Sequence, residues 1–126
     1  MASNIKAAQF QKKVLENKLP SVVDIYTLRC PNCKVIEPIF DKAAEDNKGE
    51  FSFYKLNASE NMEIAKKYKV LGVPALLFFM HGKLVDKKTG VMSQINMEKR
   101  LAKIANYSEE KAAKKEITGF FKMPWR

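Results

Sequence analysis

The chain has 126 residues, 46% hydrophobic content and a formal net charge of +9. This length and composition predict one domain with its own core, which needs no structural disulfides to fold. The first residues lack the pattern of a signal peptide, and the longest apolar run, residues 70–80, is too short for a membrane span. We therefore expect a cytoplasmic protein without a membrane span.

The positive charge predicts a solvated basic surface. Lysine pairs are spread along the chain, at residues 12–13, 66–67, 87–88 and 114–115. A basic protein can bind nucleic acid or an anionic membrane. No nucleic-acid-binding motif accompanies these lysines, so we expect no nucleic-acid partner.

The first half of the chain predicts two helices and two strands. They are a helix over residues 5–18, a buried strand over 21–27, a long helix over 31–48 and a strand over 51–56. Phe10 and Val14 give the first helix an apolar face. Pro20 should end this helix, Pro38 should kink the long helix, and Gly49 should stop it.

The second half predicts a helix, a hairpin and a further helix. The helix covers residues 61–68, and strands over 74–79 and 83–88 flank a turn at His81-Gly82. Ser93 should cap the next helix. Its inward face is predicted to consist of Ile95, Met97, Leu101, Ile104 and Ala105. This order predicts an α/β fold with a mixed sheet and helices on both faces.

The end of the chain differs in composition from the rest. Residues 108–117 predict a short capped helix with acids first and bases later, and residues 120–126 are rich in aromatic side chains. We predict a domain over residues 1–107 and a short helical, basic and aromatic extension over 108–126. The extension is either a strap that packs on the domain or a docking segment.

The two cysteines of the chain, Cys30 and Cys33, form a Cys-x-x-Cys pair. If a helix begins near Pro31, its unpaired N–H groups and partial positive charge stabilise a Cys30 thiolate. Arg29 and Lys34 add positive charge. Cys33 should be more shielded, so Cys30 can attack a disulfide and Cys33 can resolve the mixed disulfide.

A zinc site is the alternative for such a pair. Zinc requires four ligands, and the chain offers two thiols and His81, which the pattern places in a hairpin turn. A complete metal site would therefore need a dimer. We expect a monomer without metal, whose only redox group is the Cys30-Cys33 disulfide.

Several further residues stand at fixed distances from the two cysteines. Asp24 lies six residues before Cys30, and Pro38 lies five residues after Cys33. Further along are Lys55-Leu56-Asn57, Gly72-Val73-Pro74-Ala75 and Gly90. Together these residues resemble the thioredoxin family over residues 5–106. The resemblance implies the thioredoxin fold and a cis bond before Pro74.

The resemblance also implies the composition of the site. Asp24 would exchange a proton with Cys33 during resolution, with Lys55 nearby to oppose the rise in the Asp24 pKa caused by burial. The alternative is that Asp24 is a structural polar group held by Lys55, or that Lys55 is only an exposed strand residue. The implied substrate-binding residues are Arg29, Pro31, Asn32, Val73, Pro74 and Gly90.

The motif Arg29-Cys30-Pro31-Asn32-Cys33 departs from the Trp-Cys-Gly-Pro-Cys that is usual in the family. Ala58 and Thr89 stand at positions that form an apolar rim around the reactive sulfur in the family, and they make this rim smaller or more polar. A proline directly after the first cysteine resembles the Cys-Pro-x-Cys motif of glutaredoxins. A strongly stabilised Cys30 thiolate would make the protein more oxidising, whereas a cytoplasmic location favours a role as a reductase.

We hypothesise that the chain is a thiol-disulfide oxidoreductase that reduces protein disulfides and receives electrons from a flavoprotein disulfide reductase. The alternative is a binding or assembly module that uses the basic face and the C-terminal extension.

Overall fold

The computed structural model describes residues 2–117. The strands are β1 (Ser3–Asn4), β2 (Ser21–Tyr26), β3 (Ser52–Asn57), β4 (Ala75–Met80) and β5 (Lys83–Thr89). The helices are α1 (Ala7–Phe10), α2 (Pro31–Asp46), α3 (Met62–Lys67), α4 (Gln94–Ile104) and α5 (Glu109–Lys115). Across residues 2–117, the helices are all too short or too polar to cross a membrane.

The strands form one mixed sheet in the order β1-β3-β2-β4-β5. β3 lies parallel to both β1 and β2, whereas β4 is antiparallel to β2 and to β5. The predicted hairpin is confirmed, with positive φ angles at His81 and Gly82 in its turn. The predicted mixed sheet is confirmed as well.

Each face of the sheet packs against its own set of helices. On one face, Val22, Phe53 and Leu76 pack with residues of α2, α4 and α5. On the other face, Val23 and Leu56 pack with residues of α1 and α3. Because side chains alternate along a strand, even-numbered residues of β2 point toward α2. Asp24 lies on that face.

The N-terminal segment is more complex than the single helix predicted over residues 5–18. It contains strand β1, helix α1, and a π-helical segment over Gln11–Leu15. Phe10 and Val14 are buried as predicted. β1 was missed because its two exposed residues carry no apolar alternation and pair only through the backbone with Tyr54 and Lys55.

The predicted inward face of α4 is correct for Met97, Leu101 and Ile104, and wrong for Ile95 and Ala105. Ile95 is 68% exposed, and Ala105 is exposed at the C-terminal cap. Two residues correspond to a rotation of about 200° around a helix. Ile95 therefore points away from the core that Met97 faces.

The first part of the C-terminal extension packs on the sheet. Ser108 caps α5 through the Lys111 N–H, Ala112 is fully buried, and the Ile117 N–H donates to the Leu84 carbonyl at 2.8 Å. Residues 108–117 therefore form a strap against β5 and the core. The aromatic part of the extension lies outside the described residues. The division at residues 107 and 108 stays a prediction.

Gly82 lies where the hairpin meets the N-terminal segment. Its φ is +76°, and a Cβ atom there would lie 2.8 Å from the Leu15 carbonyl oxygen. We expect Gly82→Ala to lower the free energy of unfolding by about 2–4 kcal/mol, from backbone strain plus overpacking. Denaturant unfolding measures this change.

Gly49→Ala is the matched control for this substitution. Gly49 has a φ of +90°, and a Cβ there would meet nothing within 4 Å. This variant should lose only about 1 kcal/mol, from the backbone conformation alone. Equal losses for the two variants would contradict the close approach of Gly82 to Leu15.

Candidate active site

Cys30 is the N-cap residue of α2. Its backbone is extended, and its Sγ accepts the Cys33 N–H at 3.1 Å. Pro31 occupies the first turn, where its fixed φ suits a helix and its missing N–H costs no hydrogen bond. The sulfur of Cys30 therefore lies at the N-terminus of α2, where the helix dipole is positive, as the sequence predicts.

The two cysteines form a disulfide, and both are buried, with 7% of Cys30 and 6% of Cys33 exposed. The Val73–Pro74 peptide bond is cis, which confirms the expectation from the sequence. Cys30 Sγ lies 3.7 Å from the Val73 carbonyl oxygen. The Gly90 N–H, directly after β5, donates to the Pro74 carbonyl at 2.8 Å and so supports this bend.

Asp24 is buried beneath α2, with 2% of its surface exposed. Its Oδ1 has no hydrogen-bond partner among the described residues. Burial raises the pKa of Asp24 to about 7, and the positive charge of Lys55 opposes this rise. The predicted balance of burial against Lys55 is therefore confirmed, and burial dominates.

Lys55 lies beside Asp24 in the β2–β3 register, but its ammonium group binds carboxylates of α2. Nζ lies 3.1 Å from Glu37 Oε2 and 3.0 Å from Asp41 Oδ1. Its side chain is 12% exposed, so Lys55 is not simply an exposed strand residue. Burial acts to lower the pKa of Lys55, yet the hydrogen bonds and charges of Asp41 and Glu37 outweigh it and the pKa is raised.

A cavity of about 250 Å³ connects the inner sulfur with these charged groups. Its lining is formed by Asn4, Asp24, Tyr26, Thr27, Leu28, Cys33, Lys34, Glu37 and Lys55. A cavity of this size can admit several water molecules, at about 30 Å³ each. Asp24 and Cys33 share it with the charged side chains of Lys34, Glu37 and Lys55.

The predicted substrate-binding residues differ in their exposure. Arg29, Pro31 and Asn32 are exposed, Val73 and Gly90 are half-buried, and Pro74 is buried. Two exposed leucines lie close to these residues in the sequence. Leu28, 70% exposed, precedes Arg29, and Leu71, 87% exposed, lies two residues before Val73. Neither leucine was predicted as a site residue.

The comparison with known families matches residues 2–103 to the thioredoxin family model. The chain belongs to the thioredoxin family. It is 34% identical to a thioredoxin of Rickettsia felis over 75% of this chain and 90% of the relative. It is 36% identical to a thioredoxin of Pseudomonas aeruginosa over 72% of this chain and 84% of the relative.

A third relative is thioredoxin M4, chloroplastic, of Arabidopsis thaliana. It is 34% identical to this thioredoxin-family chain over 78% of the chain and 51% of the relative. Family membership and the Cys30–Cys33 disulfide support thiol-disulfide oxidoreductase function. Within residues 2–117, no group of three or more His, Cys, Asp and Glu side chains is placed to hold a metal ion.

The carboxylates of Glu37 and Asp41 were also missed from the sequence. Cys33, Glu37 and Asp41 follow one another at intervals of four residues on α2. This spacing places them on one face of a helix, toward the strands that carry Asp24 and Lys55. The helical spacing from Cys33 was therefore the signal that could have revealed them.

The raised pKa of Asp24 predicts an unusual dependence of stability on pH. An aspartate in the unfolded chain ionises near pH 4, whereas folded Asp24 ionises near pH 7. The stabilisation by the protonated carboxyl group is therefore complete below pH ~4 and lost as the pH rises to ~7. We expect Asp24→Asn to raise the free energy of unfolding at pH ~8 by on the order of 2–4 kcal/mol, since asparagine cannot ionise.

Denaturant unfolding of the oxidised protein at pH ~8 and at pH ~4 measures this effect. At the lower pH the variant should be close to the wild type. Asp46→Asn is the control, because Asp46 is an exposed α2 residue paired with Lys42. A gain for Asp24→Asn of the same size at both pH values would mean that ionisation of Asp24 is not its source.

Proposed function

We propose that this chain acts in the cytoplasm and reduces protein disulfide bonds through a reversible Cys30–Cys33 dithiol-disulfide cycle. The observation that carries the proposal is the position of the Cys30 sulfur. It caps α2, receives the Cys33 N–H at 3.1 Å, and lies 3.7 Å from the Val73 carbonyl oxygen beside Pro74. A nucleophilic thiolate needs such a stabilising N-terminus, and a substrate disulfide needs access beside it.

The cycle has two displacement steps. In the first, the Cys30 thiolate attacks one substrate sulfur, a mixed disulfide forms, and the other substrate sulfur leaves as a thiolate that takes up a proton. In the second, Cys33 gives its proton to the Asp24 carboxylate and attacks Cys30 Sγ. The remaining substrate sulfur leaves and is protonated, so two electrons have passed to the substrate and Cys30 and Cys33 form a disulfide.

Asp24 suits the second step because of its burial. An aspartate with an ordinary pKa near 4 would be a weak base for a thiol. Burial raises the pKa of Asp24 to about 7, so the group can both accept and release a proton near neutral pH. We assign Cys30, Cys33 and Asp24 to the chemistry, and Lys55 to the charge balance around Asp24.

Substrate binding is assigned to the surface around Cys30. The backbone of Val73 beside Pro74 offers polar groups to an extended substrate segment, in the manner of an added strand. Gly90 supports this bend through the Pro74 carbonyl. Arg29, Pro31 and Asn32 form the exposed side of the motif.

The electron donor assigned to this cycle is a flavoprotein disulfide reductase, and the chain needs no bound cofactor besides its own disulfide. We propose that it acts as a monomer in cellular electron transport. In a reducing compartment such as the proposed cytoplasm, a lone Cys-x-x-Cys pair is more often catalytic than structural, which agrees with the redox role.

Replacing each cysteine in turn separates their roles. We expect Cys33→Ser to accumulate a mixed disulfide with a protein substrate, because Cys30 can attack but nothing resolves the product. Cys30→Ser should lose nearly all turnover and trap no substrate. Non-reducing gel electrophoresis and a protein-disulfide reduction assay measure these outcomes. Full biological activity of Cys30→Ser would instead favour the binding-module alternative.

The position of Cys30 at the α2 N-terminus predicts a thiolate at low pH. We expect the pH midpoint for alkylation of Cys30 in the reduced protein to lie below the free-cysteine value of about 8.5. The same protein in denaturant is the control, and its midpoint should return to about 8.5. A midpoint that does not change on unfolding would remove the role assigned to the helix terminus.

A further inference from the structure

Lys55 is the nearest strand neighbour of Asp24 on β3, yet its ammonium group is bound on the helical side of the cavity. We infer that Glu37 is a positioning residue of the redox site. It holds Lys55 toward α2, while Asp24 Oδ1 has no hydrogen-bond partner among the described residues. This inference rests on the proposed function, because it concerns how Asp24 exchanges its proton.

Glu37 differs in its position from the second carboxylate on Lys55. Both Glu37 and Asp41 bind Nζ, at 3.1 and 3.0 Å. Only Glu37 of these two also lines the cavity that contains Asp24 and Cys33. Glu37 therefore both binds the Lys55 ammonium group and lines the cavity that contains Asp24 and Cys33.

The surroundings of Asp24 show which charges act on it. Leu76, its partner on β4, is apolar and buried. The ionisable groups that face it or share its cavity are Tyr26 on β2, Lys55 on β3, and Cys33, Lys34, Glu37 and Asp41 on α2. After burial itself, Lys55 lowers the pKa of Asp24, whereas Glu37 and then Asp41 raise it. The charge of Glu37 and its hold on Lys55 therefore act in the same direction.

Glu37 also lies between the buried acid and solvent. Asp24 is 2% exposed, whereas the Glu37 side chain is 57% exposed. A proton taken from Cys33 by Asp24 must later cross the cavity to reach solvent or the departing thiolate. Glu37 thus contributes to the charge on that route and, after burial and Lys55, to the pH range in which Asp24 can serve as a base.

The first test is a carbon NMR titration of the Asp24 carboxyl group in the oxidised full chain. We expect Glu37→Gln to move the Asp24 midpoint to lower pH, and Asp41→Asn to move it less. Lys55→Met should move it to higher pH. Asp46→Asn, which neutralises a carboxylate at the far end of α2, should leave it unchanged. A midpoint in Glu37→Gln equal to that in Asp46→Asn would overturn the inference.

The second test follows resolution directly. Reduced protein is mixed with excess dithiobis(nitrobenzoate), which forms a mixed disulfide on Cys30. Attack by Cys33 then releases a second coloured thiolate in a first-order phase. Glu37→Gln should shift the midpoint of the pH profile of this phase to lower pH, while its plateau falls because a lower pKa makes Asp24 a weaker base. A shift of one pH unit would raise the ionised fraction of Asp24 at pH ~6 from about 10% to about 50%, and the rate at that pH by up to about fivefold.

The two tests distinguish this inference from the proposed function. A purely structural role of Glu37 would lower stability or the plateau and leave both midpoints unchanged, which would reject the inference while the cysteine cycle stands. Absence of protein-disulfide reduction by the wild type would reject the proposed function. The NMR midpoint would still decide the effect of Glu37 on Asp24.

Discussion

The hydrogen bond from the Cys33 N–H to the Cys30 sulfur fixes the start of α2 and the position of both sulfurs. Pro31 makes that start possible, because it fixes φ and needs no partner for a backbone N–H. From this point α2 runs over the sheet, and Ile36 and Phe40 are fully buried against it. The packing of α2 therefore holds the sulfurs beside the Val73–Pro74 bend.

The alternation of the strands decides what lies beneath that helix. Val22 and Phe53 belong to the core on the α2 side, so Asp24 and Lys55, two residues further along their strands, point the same way. The same alternation that fills the core thus places an acid and a base below Cys33. Because Asp24 is enclosed, desolvation outweighs the attraction of Lys55 and its pKa rises.

Much of this arrangement could be predicted from the sequence, since it depends on local patterns and spacing. The helix beginning at Pro31, the hairpin at His81-Gly82 and the cap at Ser93 each follow from residues with strong backbone preferences. Strand β1 could not be predicted, because its pairing with β3 is a contact between distant segments through the backbone alone. The prediction that Ile95 faces the core was wrong, because it used the hydrophobicity of this residue and ignored its angle to Met97 around α4.

The partners of Lys55 show where local patterns are insufficient. The strand register that places Lys55 beside Asp24 was predicted correctly. The Lys55 ammonium group nevertheless binds Glu37 and Asp41, because it can reach several carboxylates. Glu37 and Asp41 are about half exposed, so water helps to stabilise their charge, whereas a charge on Asp24 must be stabilised in the interior. Lys55 is therefore bound by the two carboxylates that water reaches, and not by the enclosed Asp24.

The same difference in burial separates Asp24 from the two carboxylates that bind Lys55. Glu37 and Asp41 bind the Lys55 ammonium group, and all three charges act on Asp24, in a chain whose net charge is strongly positive. Mutual repulsion among the three carboxylates favours protonation of one of them, and desolvation selects the one with least access to water. That carboxylate is Asp24, which shares a cavity with Cys33. Glu37 and Asp41 therefore do more than bind a lysine, because their negative charges add to burial in raising the pKa of Asp24.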